Sequence, residues 1–259
     1  MSYCELHCCS AFSFLRGGSF PEQLAEVAAG LEMPAIALLD RSGVYGAQRF
    51  SVAAREHNVR PIIGAELSME DGSIVPVLVE SHAGYKNLCE LLTQAHLRSE
   101  KGKCAVRWDE LPEFAQGMVA LFGSGSAGAS SAVSRASPDT FSRLSGGGAE
   151  KSGRGARAPQ TIANRARFLM DAFGHENVFI ELQRHFIRGE EHSNRELIDL
   201  ARANRLSFLA TNGVQYAKPY GREVLDVFTC ISEYPHLDAG AKLFSQNAEP
   251  HQKGAREMP

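Results

Sequence analysis

His7 and Cys9 stand two residues apart near the N-terminus, within the stretch Leu6-His7-Cys8-Cys9-Ser10-Ala11-Phe12-Ser13-Phe14-Leu15-Arg16-Gly17-Gly18. On a strand, residues i and i+2 point to the same face. An imidazole and a thiol on one face at a strand end are the beginning of a metal site. The same pair also fits an ordinary half-buried histidine beside a small core cysteine. Three more polar residues close short apolar runs: Asp40 after Ala35-Ile36-Ala37-Leu38-Leu39, Glu66 after Pro61-Ile62-Ile63-Gly64-Ala65, and Asn212 at the end of Ser207-Phe208-Leu209-Ala210-Thr211. Asp40 has a plainer role open to it as a cap for the following helix. Nucleophilic attack by Cys9 with His7 as base is disfavoured, because their Cβ atoms would lie about 6–7 Å apart on a strand. The sequence has no glycine-rich phosphate loop and no G-x-S-x-G elbow. An unrelated small-molecule α/β enzyme therefore finds little support.

The elements that must position these residues follow from the hydrophobic pattern. Continuous apolar runs at 35–39, 61–66, 74–79, 118–122, 178–182 and 207–211 read as strands, with a first strand leading to His7. Helical periodicity covers about 44–57, 85–97, 161–173, 190–204 and 220–231. A first helix spans about 21–29, with Ser19 and Glu22 at capping-box spacing, Pro21 in its first turn and Gly30 as its stop. Asp71-Gly72 marks a tight turn before the strand at 74–79. Seven short strands alternating mainly with helices define an α/β fold with a mostly parallel sheet, open or closed as a barrel. In either case a functional site belongs at the C-terminal ends of the strands. His7, Cys9, Asp40, Glu66 and Asn212 all fall there.

Composition narrows the class. The 259 residues are 44% hydrophobic and 22% charged, as in globular proteins, and the net charge of -3 gives no global attraction to nucleic acid or anionic membrane. No apolar run approaches the ~20 residues that span a bilayer, and no signal peptide is evident. The six cysteines lack framework spacing, which fits reduced thiols in a cytoplasm. Between about 123 and 160 the sequence turns to Gly, Ser, Ala and Arg, which reads as a disordered insertion. The expected organisation is a domain over 1–232 interrupted by that insertion, then a tail over 233–259.

The motifs carry a specific likeness. The stretch from Tyr3 to Gly18 resembles the first motif of the polymerase and histidinol phosphatase (PHP) domain, in the version that opens bacterial error-prone DNA polymerases of the DNA polymerase III alpha subunit family. Leu39-Asp40-Arg41-Ser42-Gly43-Val44-Tyr45-Gly46 resembles the second motif and Gly64-Ala65-Glu66 the third. Phe179-Ile180-Glu181-Leu182-Gln183-Arg184-His185 and Ala210-Thr211-Asn212-Gly213-Val214-Gln215-Tyr216 follow in the family's order. Asp226-Val227-Phe228-Thr229-Cys230-Ile231 and Asn247-Ala248-Glu249 resemble the run towards the polymerase body. The resemblance implies a distorted seven-stranded (β/α) barrel with two or three zinc or manganese ions at the strand ends. Such a cluster lowers the pKa of bound water and clamps a phosphate for hydrolysis.

The sequence departs from that pattern at most ligand positions. His-x-His is here His7-Cys8-Cys9, and the Asp of the first loop is Arg16. Asp-His-Asp is Asp40-Arg41-Ser42, Gly-Cys is Gly123-Ser124, and Asn-Asp-Val-His-Tyr is Asn212-Gly213-Val214-Gln215-Tyr216. His7, Cys9, Asp40 and Glu66 remain as candidate ligands, with His96 at a looser alignment. Arginine cannot ligate a metal or lose its charge near neutral pH. Arg16 and Arg41 would therefore bring fixed cations to the site, free to pair with Asp40 or Glu66. The expectation is a vestigial site holding no cofactor, or at most one zinc or manganese ion. The domain is then expected to serve a structural or partner-binding role beside a polymerase body or other subunits, meeting DNA only indirectly. An active metal-dependent phosphoesterase or 3′–5′ exonuclease is the alternative.

Overall fold

The computed structural model describes residues 2–123, 161–233 and 247–258. Its elements run β1 (Glu5–Cys8), α1 (Pro21–Gly30), β2 (Ala35–Arg41), α2 (Ala47–Glu56), β3 (Arg60–Ser68), β4 (Ile74–Val79), α3 (His82–Arg98), α4 (Leu111–Phe114), β5 (Met118–Phe122), α5 (Ile162–Phe173), β6 (Val178–Leu182), α6 (Glu190–Asn204), β7 (Phe208–Ala210) and α7 (Gly221–Glu233). The seven strands lie in sequence order in one sheet. Four of its six pairings are parallel; β4 alone is antiparallel to both neighbours, β3 and β5. The hairpin behind that reversal is the expected turn at Asp71-Gly72, where Gly72 takes φ of +80° and the Asp71 carboxylate accepts the Ser73 N–H. Beyond β7 the chain returns against β1: Cys9 N–H donates to the Val214 carbonyl and Val214 N–H to the His7 carbonyl, both at 2.8 Å. The sheet thus curls into a distorted barrel.

Alternation along the strands sets what faces in. Ala37 and Leu39 of β2, Leu78 of β4 and Leu121 of β5 form a buried interior cluster, joined by Ile62 of β3 and Phe179 of β6. Their neighbours in sequence face outward into the helices. Ile36 and Leu38 pack with Leu24, Ala28, Phe50 and Ala54 of α1 and α2. On the other flank, Ala65, Leu67, Val75, Val77, Ala120 and Phe122 pack with α3, α4 and α5 around the buried Trp108. The outward face is the larger apolar surface, so the helices supply most of the hydrophobic stabilisation.

Two local expectations change. The cap of α1 is Phe20, whose N–H is accepted by Gln23 Oε1 at 2.9 Å. Ser19, expected as the cap, instead accepts the Ala217 N–H through its hydroxyl and ties the β1 loop to the segment before α7. Residues 247–258, read from sequence as part of a tail, pack onto the barrel end: Pro250 accepts the Gln215 N–H, and the Asn247 side chain reaches the His185 carbonyl. Most of the Gly/Ser/Arg-rich stretch, including Ser124, and the tail residues 234–246 lie outside the described residues.

Gly64 sits where β3 and β4 press together. A Cβ there would meet the Val77 carbonyl oxygen at 2.1 Å, a backbone clash that no rotamer relieves. Gly64→Ala is expected to lower stability by about 1–3 kcal/mol, read as a lower urea midpoint; an unchanged midpoint would contradict the close approach that places Glu66 at the barrel mouth.

Candidate functional site

Alternation carries three charged side chains to the interior mouth of the barrel. Arg41 continues the inward series Ala37-Leu39, Glu66 continues Ile62-Gly64, and Glu181 follows Phe179 at the end of β6. His7 meets them from β1. Its Nδ1 lies 2.7 Å from Glu181 Oε1 and its Nε2 lies 2.9 Å from Glu66 Oε1. Arg41 Nε donates to the other oxygen of Glu66 at 2.6 Å. The result is a row of alternating charge, Arg41–Glu66–His7–Glu181, running from β2 to β6. Thr211 Oγ1 and Gln183 Nε2 donate to Glu181 Oε1 at 2.5 and 3.1 Å. Gly123 makes room: a Cβ there would lie 2.8 Å from Glu181 Oε2.

The electrostatics follow from this row. Burial works against a charged His7, but Glu181 and then Glu66 outweigh it, and the imidazole pKa is held well above 6.5. Only the doubly protonated ring donates to carboxylates through both nitrogens. For Glu66, burial raises the pKa, but the Arg41 guanidinium and His7 overcome that and bring it down to about 2. Glu181 is lowered likewise, with His7 opposing its burial. Cys9 goes the other way: burial, then Glu66 and Asp40, push its thiol up, although Arg41 and Arg16 partly oppose them. Its Sγ–H contacts the Arg16 carbonyl at 3.8 Å. A thiol so far from ionising is neither a ready nucleophile nor a ready thiolate ligand.

The other candidates divide. Asp40 faces the opposite side of β2 from Arg41. It accepts the Ser10 N–H at 2.9 Å, the Ser10 and Ser13 hydroxyls at 2.9 and 2.8 Å, and the Gly46 N–H at 3.2 Å. It clamps the β1 loop to the start of α2, close to the capping role open to it from sequence. His96 is held by the Ser42 carbonyl at 2.8 Å, with the Tyr45 hydroxyl at 3.4 Å; no contact joins it to His7 or Glu66. Asn212 is completely buried and its amide donates to the Glu249 and His251 carbonyls, both at 2.6 Å. It anchors residues 247–258. Gly213 has φ of +54°, and its absent Cβ would touch the Gln183 amide at 2.8 Å. The Gln215 backbone ties Gly18 to Pro250. Among the described residues, no group of three or more His, Cys, Asp and Glu is arranged to hold a metal ion.

Glu181 and Glu5 were not singled out from sequence. Glu181 follows the apolar run Val178-Phe179-Ile180 as Glu66 follows the run from Pro61 to Ala65, and that parallel was the available signal. Glu5 is fully buried, accepts the His7 and Asn212 N–H groups and the Tyr3 hydroxyl, and has its pKa pushed by burial to about 7 despite them.

The barrel, its strand-end polar cluster and the motif order define one class. Residues 5–185 match the PHP domain, and the chain belongs to the PHP domain family. The relatives are more particular. An error-prone DNA polymerase of Mycolicibacterium paratuberculosis is 34% identical over 268 residues, covering 99% of this chain and 23% of the relative. One from Pseudomonas fluorescens is 30% identical over 251 residues, covering 96% and 21%. The chain thus spans less than a quarter of the length of these relatives. Among solved structures, an amidohydrolase from Chromobacterium violaceum aligns over 82% of this chain and 87% of its own, with TM-score 0.43 and 15% identity.

The charge row gives stability a two-sided pH dependence. Glu66, depressed from 4.5 to about 2, contributes fully above pH 4.5 and loses that contribution as pH falls towards 2. His7, raised above 6.5, contributes fully below that value and loses its contribution as pH rises through its folded pKa. Arg41→Met is expected to flatten the acid limb below pH 4.5, measured as urea midpoints across pH; an acid limb unchanged by the substitution would contradict the Arg41–Glu66 coupling.

Proposed function

We propose that this chain is the PHP-like domain of an error-prone DNA polymerase, acting as a structural and partner-binding module whose metal centre has been replaced by ion pairs. One observation carries the reading. His7 lies between Glu66 and Glu181 with both ring nitrogens engaged, while Arg41 holds the second oxygen of Glu66. A metal needs a lone pair on the imidazole and open carboxylate oxygens. The residues present do not fit the cluster of two or three ions that the family resemblance implies: the positive charge such ions would supply comes from Arg41 and a protonated His7. Cys9 is held as a neutral thiol, Asp40 faces the β1 loop, and His96 faces Ser42.

In this reading the domain contributes shape rather than phosphoester chemistry. Nucleotide transfer requires palm carboxylates that bind two magnesium ions, and these belong to the part of the relatives that this chain does not span. The domain supports that body or another subunit during damage-tolerant DNA synthesis in the cytoplasm, and reaches DNA as part of that assembly. Among the described residues, no helix is long and apolar enough to cross a membrane.

Metal analysis of the purified chain is expected to find well under one ion per molecule. Added manganese or zinc is expected to elicit no hydrolysis of a chromogenic phosphodiester or of single-stranded DNA. At least one retained ion per chain with EDTA-sensitive hydrolysis would replace this reading with the active phosphoesterase or 3′–5′ exonuclease. The supporting role is tested by affinity capture from the source cells: co-purification of a polymerase body or accessory subunit is expected, and its absence would remove that half of the reading.

A further inference from the structure

Helix α7 stands apart from the core. It is strongly amphipathic, yet none of its described side chains belongs to the three buried hydrophobic clusters. Its outer face, with Tyr220 at its start, carries a line of exposed apolar residues: Tyr220 at 67% exposure, Val224 at 41%, Val227 at 44% and Ile231 at 64%. Single exposed apolar side chains are ordinary, but a continuous row on one helix marks an interface. Beside the row lies a groove of about 350 Å³, lined by Phe20 and Val27 of the α1 region and by Val224 and Phe228 of α7.

The spacing of the row points to what covers it. The four residues follow one another in steps of four, three and four, the spacing of a heptad seam. That order reads the same in both directions. A second α7 laid antiparallel therefore sets Tyr220 opposite Ile231 and Val224 opposite Val227, each pair occurring twice. This is the self-matching that a two-fold interface requires. The charges permit it. Arg222 pairs with Asp226 on its own helix at 3.5 Å, and the antiparallel register sets Glu223 across from Phe228 rather than from another acid. A bilayer is a poorer occupant, because Glu223 and Asp226 flank the row where a membrane-bound helix carries Lys and Arg.

We propose that this chain forms a reversible two-fold dimer through α7, in which Tyr220, Val224, Val227 and Ile231 of one copy interleave with the same residues of the other. The dimer goes beyond the metal-free reading of the barrel mouth and does not depend on it. A helix of 13 residues is about 20 Å long. The seam alone therefore falls short of the ~800 Å² per partner of a standard interface, and association belongs in the micromolar range rather than the nanomolar. Because the contact is apolar, added salt does not weaken it.

The experiment is sedimentation equilibrium of the full chain, in reducing agent, from low to high micromolar concentration. A monomer–dimer equilibrium of 28.1 kDa chains is expected, with the same dissociation constant at low and high salt. Val227→Glu and Ile231→Glu each bring a carboxylate into the seam twice, and each is expected to weaken association at least about tenfold. Val52→Glu, at an exposed apolar position of α2, is expected to leave it unchanged. Circular dichroism confirms that each variant folds. Disulfide trapping reads the register: mixed Tyr220→Cys and Ile231→Cys chains are expected to form a link between positions 220 and 231, identified by mass spectrometry. A chain that stays monomeric throughout would overturn the proposal and leave the face to a different protein. Full association in both Glu variants, or a link between two copies of position 231 in place of the expected one, would overturn it too. None of these results would touch the metal-free reading, which metal analysis tests separately.

Discussion

The bidentate capture of His7 by Glu66 and Glu181 is the interaction on which the mouth of the barrel depends. It joins β1, β3 and β6, strands far apart in the chain, through one imidazolium. Buried ion pairs of this kind add little net stability over a well-packed apolar group, because desolvation offsets most of the Coulomb gain. Removing one partner is a different matter, since it strands a buried charge at a cost of about 3–5 kcal/mol. The row therefore acts as a registry device: it makes one arrangement of the strand ends far better than its alternatives. Arg41 takes the second oxygen of Glu66, and Thr211 and Gln183 add donors to the Glu181 oxygen that faces His7.

Two further anchors hold what surrounds that row. Asp40, buried on the outer side of β2, gathers the Ser10 and Ser13 hydroxyls and the Gly46 amide, so the β1 loop and the start of α2 are fixed relative to each other. Asn212 and Glu5 do the same on the other side. The Asn212 N–H donates to Glu5 while its amide holds the carbonyls of residues 249 and 251.

Much of this was legible in the sequence. Six apolar runs and the first strand leading to His7 mark the strands, and Asp71-Gly72 marks the hairpin that reverses β4. The substitution of Arg41 into the second motif foreshadows its pairing with Glu66. Less legible was which strand-end residues meet. Asp40 and Arg41 are adjacent, so the two-residue period of β2 sends them to opposite faces; proximity in sequence hides that separation. Glu181 lies 174 residues from His7, and an isolated acid in Ile180-Glu181-Leu182 carries no mark of the partner that will neutralise it. Asn212 resembles a site residue by position, yet residues 247–258 saturate its hydrogen bonds, a contact no local pattern encodes. Ser19 has the type and spacing of a cap, but Ala217 claims its hydroxyl.

Arg41, His7 and two carboxylates thus form one charge row at the strand ends of a PHP-family barrel. The most direct measurement is the protonation state of His7, read from the side-chain nitrogen chemical shifts of nitrogen-15-labelled protein near neutral pH, before and after adding zinc. A site closed by ion pairs requires both His7 nitrogens to be protonated, with shifts that zinc leaves unmoved. A neutral ring with one unprotonated nitrogen, or a zinc-induced shift of Nδ1 or Nε2, would contradict it.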